Sequence, residues 1–234
     1  MRYHVQDSAL LSDRVLPDAC VDLIWDGLTL FVAGPDSGPV PLVPPPSGFF
    51  AGVRFRTGRA RFFLGVPAWE LLDQRVELAE LRGSQRSANL IEVLKAASSP
   101  VKSARVLECA VLADRSPAAI PDPTVDALVA QLQTRGDSYP QSGSGPVARI
   151  SRLLGVSERE LLRRCRDAVG YGPKKLDRIL RFQRSRARAA TAVSLADLAA
   201  DSGYADQAHM TRECRRLSGL TPSELFKPAA RSRS

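Results

Sequence analysis

The stretch SLADLAADSGYADQAHMTRECRR, residues 194–216, decides how the C-terminal half of the chain folds. Ser194 and Asp197 stand in the S-x-x-D pattern of a helix start. Leu195, Leu198 and Ala199 give an apolar stripe. Gly203 can take the positive φ of a tight turn at Ser202-Gly203-Tyr204. Asp206 opens a second helix in which Met210, Cys214 and Leu217 recur at i, i+4 and i+7. His209, Arg212 and Arg216 fall on another face of it. Two short helices joined by a glycine turn, the second basic on its outer face, read as a helix-turn-helix.

A second copy lies upstream. Val147 to Leu154 is a short helix with Pro146 at its first position, where a missing N–H costs nothing. Gly155-Val156 is the turn. Ser157 and Glu160 form an expected capping box, Leu161, Cys165, Ala168 and Val169 an apolar stripe, and Gly170 a stop. Arg159, Arg163 and Arg166 point outward. The two recognition-helix caps, Ser157 and Asp206, are separated by a helical stretch from Pro173 to Ala190. Its 18 residues span about 27 Å at ~1.5 Å per residue. Such a rod can set two recognition helices about one DNA turn apart, ~34 Å.

Residues from about 121 to 227 resemble the DNA-binding domain of AraC-type transcription regulators. The resemblance rests on Leu154-Gly-Val-Ser-Glu-Arg-Glu-Leu-Leu-Arg-Arg164, Gly170-Tyr-Gly-Pro173 and Arg181. Leu198-Ala199, Gly203-Tyr204, Thr211-Arg212 and Gly219-Leu-Thr-Pro222 complete it. Cys165 and Cys214 depart from the family, which usually places a bulky apolar residue there. The resemblance implies a bacterial regulator that reads adjacent major grooves. Arg159, Leu162 and Arg163 match the base-reading positions of the first unit, and Ala208, His209 and Arg212 those of the second. Arg can pair with guanine O6 and N7, and Leu162 can pack on a thymine methyl. Arg149, Arg164, Gln207, Thr211 and Arg215 are candidates for phosphate.

Charge supports this reading. The chain of 234 residues carries a formal +8. Residues 146–234 hold 19 Lys and Arg against 9 Asp and Glu, and the remainder 14 against 16. Basic charge confined to one region favours a polyanion partner there. No apolar run reaches the length of a membrane span, and no signal peptide is evident, so a cytoplasmic protein without a membrane partner is expected. Four scattered cysteines, with no C-x-x-C, argue for reduced thiols and against a zinc knuckle.

Residues 1–118 read as a β-rich regulatory or sensor domain with a helical linker or dimer segment. Residues 119–228 read as the DNA-binding domain, and residues 229–234 as a basic tail. The fold class is α+β, a small β-rich domain followed by an all-α domain of two helix-turn-helix units joined by a long helix. Cys20–Trp25 and Leu28–Ala33 form an expected hairpin around Asp26-Gly27. Phe49–Phe55 and Ala60–Val66 form a second around Thr57-Gly58. From Trp69 a helix is expected, with Trp69, Leu72 and Val76 on one side, ending at Gly83. Two more follow, Ser87–Ala97 and Val101–Ala113, which either cover the sheet or form a dimer surface. Asp122-Pro123 caps a helix to about Thr134. The segments 16–27 and 64–68 resemble the small N-terminal domains that precede some AraC-type domains, which implies a barrel-like or cupin-like sensor.

The effector side is thinner. Arg54, Arg56, Arg59 and Arg61 cluster near one hairpin and could hold an anion, with Trp25 as a pocket wall. An enzymatic alternative, a cupin-like barrel with a basic appendage, needs several converging histidines. The chain has only His4 and His209. A thiol sensor through Cys165 and Cys214 is disfavoured, since both fall on core faces. The expected partners are double-stranded DNA, a small-molecule effector, RNA polymerase if the protein activates, and a second copy of the chain. No cofactor and no metal are expected.

Overall fold

The computed structural model describes residues 2–7, 14–114, 121–134 and 145–226, the first of these as backbone only. The expected basic tail, and all but Gly145 of the polar Gly/Ser loop expected from Gly136 to Gly145, lie outside the described residues. The architecture is α+β.

The N-terminal unit is built on a five-stranded antiparallel sheet. Its strands are β1 (Arg2–Asp7), β3 (Val21–Trp25), β4 (Leu30–Ala33), β6 (Phe49–Phe55) and β7 (Arg75–Glu77), in the order β1-β6-β3-β4-β7. A two-stranded ribbon, β2 (Arg14–Val15) with β5 (Val40–Pro41), lies apart from it. The β3–β4 hairpin forms as expected. Its register pairs Trp25 with Leu30, so the loop has four residues. Asp26 Oδ1 closes that loop by accepting from Leu28 N–H at 2.9 Å and Thr29 N–H at 2.6 Å.

Two expectations fail, and the sheet explains both. The run Ala60–Val66 is not a strand. Both edges of β6 are already taken, by β1 and by β3, so a further partner has nowhere to pair. The Thr57-Gly58 turn forms, but the chain beyond it folds into the helical turn α1 (Arg61–Leu64), which buries Phe63 and Leu64. The helix expected from Trp69 also breaks. A 3-10 turn spans Ala68–Leu71, Asp73 sits at φ 57°, and β7 follows. The outer edge of β4 is open, and β7 satisfies its backbone groups; an unpaired edge is costly to leave. Trp69 is consequently 45% exposed.

Helices α2 (Leu78–Arg82), α3 (Ser84–Lys95) and α4 (Pro100–Ala113) complete the unit. Helix α4 lies across β6 and β1, and its Leu107 and Val111 share a core with Leu23, Val53 and Trp25. Of the two roles considered for these helices, α4 takes that of sheet cover.

The C-terminal unit is helical throughout its described residues. Asp122 caps α5 (Pro123–Gln133) by accepting from Thr124 and Val125 N–H. Then come α6 (Pro146–Leu153), α7 (Glu158–Val169), α8 (Pro173–Arg188), α9 (Leu195–Asp201), α10 (Gln207–Ser218) and α11 (Pro222–Leu225). One core joins them, centred on Leu128, Leu161, Leu176, Phe182, Leu198 and Met210. Thr221 and Glu224 form a complete capping box at α11.

The two units touch along a defined seam. The 3-10 turn Ala68–Leu71 packs on α7. Gly170, at φ 96°, ends α7, and a Cβ there would stand 2.5 Å from Pro35 Cγ. Arg59 bridges to Asp126 at 2.6 Å. Residues 14–20 form a strap between the units. Arg14 donates to the Ser218 carbonyl at the end of α10, at 3.0 Å. Gln183 on α8 donates to the Pro17 carbonyl. Ala19 is buried in the helical core, with Leu16 packed against it.

Candidate nucleic-acid interface

Each candidate recognition helix, α7 and α10, is set by a short helix, a glycine turn and a side-chain cap. In the first unit α6 leads to Gly155 at φ 66°, and Ser157 Oγ accepts from Glu160 N–H at 3.1 Å. The reciprocal half of the expected capping box is missing, because the Glu160 carboxylate is engaged elsewhere. It accepts from Arg163 at 2.7 and 3.0 Å and from Arg164 at 2.7 Å. These two guanidinium groups, Arg163 first, hold the Glu160 carboxyl down at about 2. Glu160 is thus already neutralised by its neighbours. In the second unit α9 leads to Gly203 at φ 81°, and Asp206 accepts from His209 N–H at 2.6 Å.

The inward faces are dry. Leu161, Cys165 and Val169 are buried on α7, and Met210, Cys214 and Leu217 on α10. Cys165 Sγ lies 3.1 Å from the Tyr171 carbonyl. Burial pushes the Cys165 thiol up to about 12 and the Cys214 thiol up to about 11. Both are therefore thiols at neutral pH, a poor basis for redox chemistry. Where the AraC-type pattern has bulky side chains, these sulfurs fill buried positions with less volume.

The outward faces carry the expected base readers. Arg159, Leu162 and Arg163 are exposed on α7, and Ala208 and Arg212 on α10. Leu162 is 43% exposed. Arg163 also reaches Asp167 at 3.3 Å. His209 is half-buried, edge-on to Tyr204 with ring centroids 5.4 Å apart. Its Nδ1 accepts from Ala205 N–H at 3.4 Å, so Nε2 is the ring nitrogen left to donate. That leaves a donor suited to a purine acceptor.

The phosphate candidates divide. Gln207 and Arg215 are exposed. Thr211 is half-buried and its hydroxyl donates to the Gln207 carbonyl at 2.9 Å. Arg149 is half-buried on α6. Arg164 turns away from this group. Besides Glu160 it reaches Asp122 at 3.3 Å and Thr124 at 3.3 Å, so it ties α7 to the start of α5.

Helix α8 holds the two units in place with arginines. Its 16 residues, two fewer than the stretch read from sequence, span about 24 Å at ~1.5 Å per residue. Arg178 pairs bidentately with Glu213 on α10, at 2.7 and 2.9 Å. Arg181 pairs with Asp177 at 2.5 Å and lies over the Tyr204 ring, 5.5 Å from its centroid. Arg184 donates to the Leu132 carbonyl of α5 at 2.6 Å. In sequence the arginines of this helix are spread around it, and at least some are expected to be merely solvated; in the fold these three brace the scaffold. Only Arg181 has its acidic partner, Asp177, within reach along the helix; the partners of Arg178 and Arg184 lie on other helices.

On the N-terminal side a cavity of 770 Å³ opens between the sheet and the β2–β5 ribbon. Arg54 lines it, but does not stand as a free anion site. It pairs bidentately with Asp22, at 2.9 and 2.7 Å, and also with Asp18 at 2.7 Å. Arg56 is exposed on the other side, near Phe55 and Phe62. Trp25 is 2% exposed in the core under α4, because odd-numbered residues of β3 face that helix. Arg54, Arg56 and Trp25 are therefore not brought together. Among the described residues no group of three His, Cys, Asp or Glu side chains is placed to hold a metal ion. No helix there is long and apolar enough to cross a membrane.

Two helix-turn-helix units sharing one core, each with a cationic outer face, define a DNA-binding protein. Residues 150–228 match the family described as a helix-turn-helix domain, and the chain carries an AraC-type DNA-binding domain there. The protein is a DNA-binding transcription regulator. Residues 2–77 match a second family, described as Domain of unknown function (DUF6597). No curated protein matches the chain. Among solved structures, a lysine-to-alanine variant of apo ToxT from Vibrio cholerae strain SCE256 is similar at 13% identity and a TM-score of 0.44. ToxT from Vibrio cholerae in another crystal form is similar at 11% identity and a TM-score of 0.45. Each alignment covers 96% of this chain and 96% of that one.

Proposed function

We propose that the protein is a sequence-specific regulator whose two recognition helices enter adjacent major grooves on one side of the DNA. The observation that carries this is the pair α7 and α10, braced on α8, with Arg159, Leu162 and Arg163 outward on one and Ala208, His209 and Arg212 on the other. These six residues meet base edges. Arg149, Gln207, Thr211 and Arg215 meet phosphates, and Arg164 supports α7 from behind. Arginine at guanine contributes ~1–3 kcal/mol of discrimination, whereas phosphate contacts give affinity and salt dependence.

The N-terminal unit controls the DNA-binding unit through the strap 14–20. Val15, Asp18 and Cys20 line the cavity, while Arg14, Leu16, Pro17 and Ala19 touch the helical unit. A small molecule that shifts the first set moves the second. The protein acts as a regulator in the cytoplasm rather than as an enzyme. Its partners are DNA, an effector, a second copy of the chain and, at activated promoters, RNA polymerase. Methylation-interference footprinting on DNA upstream of its own gene tests the reading. Two patches of major-groove guanines about one turn apart are expected; a single patch would mean that one unit alone reads bases.

A further inference from the structure

The cavity has an ordered floor. Cross-strand register places Arg54, Asp22, Ala33 and Arg75 in one row across four strands, and Gly52, Ile24, Phe31 and Glu77 in the next. The first row is ionic and the second mostly apolar. Gly52 offers no side chain; a Cβ there would stand 2.9 Å from the Leu23 carbonyl, so the floor stays open beside Ile24. Phe50 continues the apolar surface, and Val40, Leu42 and Pro44 wall it from the ribbon side. A volume of 770 Å³ with apolar walls and a set of placed polar groups is the size and character of a small-molecule site.

The sign of its charge selects the ligand. Among the described residues, Asp18, Asp22, Asp26, Asp36 and Glu77 line the cavity against Arg54 and Arg75, a formal −3. Both arginines are taken: Arg75 pairs with Asp36 at 2.9 and 2.8 Å, and Arg54 serves Asp22 and Asp18 together. An anion would have to break these pairs. One guanidinium shared by two carboxylates leaves negative charge over, and removing such charge from water without a partner is costly. Burial accordingly raises the Asp18 carboxyl above its usual range despite Arg54.

We propose that this cavity binds an amphipathic organic cation, its ammonium over Asp18 and Asp22 and its apolar body over Ile24, Phe31 and Phe50. The assignment rests on the reading of the N-terminal unit as a ligand sensor. It names the class of that ligand.

Three probes sharing one body separate the possibilities: naphthylmethyl-trimethylammonium, naphthylacetate and naphthylmethanol. Each is titrated into the full chain by calorimetry. The cation is expected to bind at least about tenfold more tightly than either other probe. Asp18→Asn is expected to remove most of that preference while leaving naphthylmethanol unchanged. Glu77→Gln, at the wet end of the floor, gives a smaller loss and serves if Asp18→Asn does not fold by circular dichroism. Equal binding of all three, or preference for the acid, overturns the cationic class and leaves a sensor of another ligand. No binding of any probe by a chain that still selects its DNA overturns both the ligand class and the sensor reading.

Discussion

Arg163 and Arg212 occupy matching places on the two recognition helices but enter the complex from different states. Arg163 is held by Glu160 and Asp167, whereas Arg212 makes no hydrogen bond or ion pair among the described residues. Binding a guanine therefore costs Arg163 contacts that Arg212 does not lose. Replacing either by alanine is expected to lose ~1–3 kcal/mol of discrimination, with Arg212→Ala the larger loss. Competition binding against single-base operator variants measures both. Glu160→Gln removes the anion that holds Arg163 and is expected to tighten DNA binding; weaker binding would make Glu160 a positioning group instead. Asp18 gives a pH signature. Its carboxyl is raised by burial, with Arg54 opposing and Asp22 and Asp36 adding to it; Cys20 lies beside it. A carboxyl raised in the folded state favours that state below its unfolded pKa, and the benefit is lost as pH rises through the folded value. A bound cation offsets that loss. Thermal stabilisation by the naphthyl cation should therefore grow as pH rises from the ordinary carboxylate range, about 4, upward. Stabilisation that is flat across this range would place the ammonium away from Asp18.

At the scale of elements, local signals located the helical half well. Ser157, Asp206 and Asp122 cap the helices they were read to cap, and Gly155, Gly170 and Gly203 take positive φ. Asp206→Ala removes the acceptor for His209 N–H and should destabilise the protein by ~1 kcal/mol in urea denaturation, with DNA affinity falling further because α10 starts there. What local signals could not show is competition between distant elements. The run Ala60–Val66 has the composition of a strand, but β6 has no free edge. The run after Trp69 has helical spacing, but β4 has one. Likewise Arg178 and Arg181 are two of five arginines spread around α8 in sequence, and only the fold brings Glu213 and Tyr204 beside them. The cavity was illegible for the same reason, since its floor rows are assembled by register across four strands.

The whole molecule joins a sheet unit and a helical unit by a strap whose residues serve both. Leu16 and Ala19 pack into the helical core, while Val15, Asp18 and Cys20 line the cavity. Arg14→Ala frees the end of α10 from the strap without touching the cavity. Cation binding should be unaffected, and the change in DNA affinity on adding the cation should shrink several-fold; an unchanged response would mean that another contact, such as Arg59 with Asp126, carries the coupling. The central claim is base readout by two units, and fluorescence anisotropy of the full chain with its own upstream DNA and with scrambled DNA, at two salt concentrations, tests it most directly. The account predicts a preference for its own DNA that survives the higher salt, because base contacts release fewer counterions than phosphate contacts. Equal binding to both DNAs, falling together as salt rises, would contradict it.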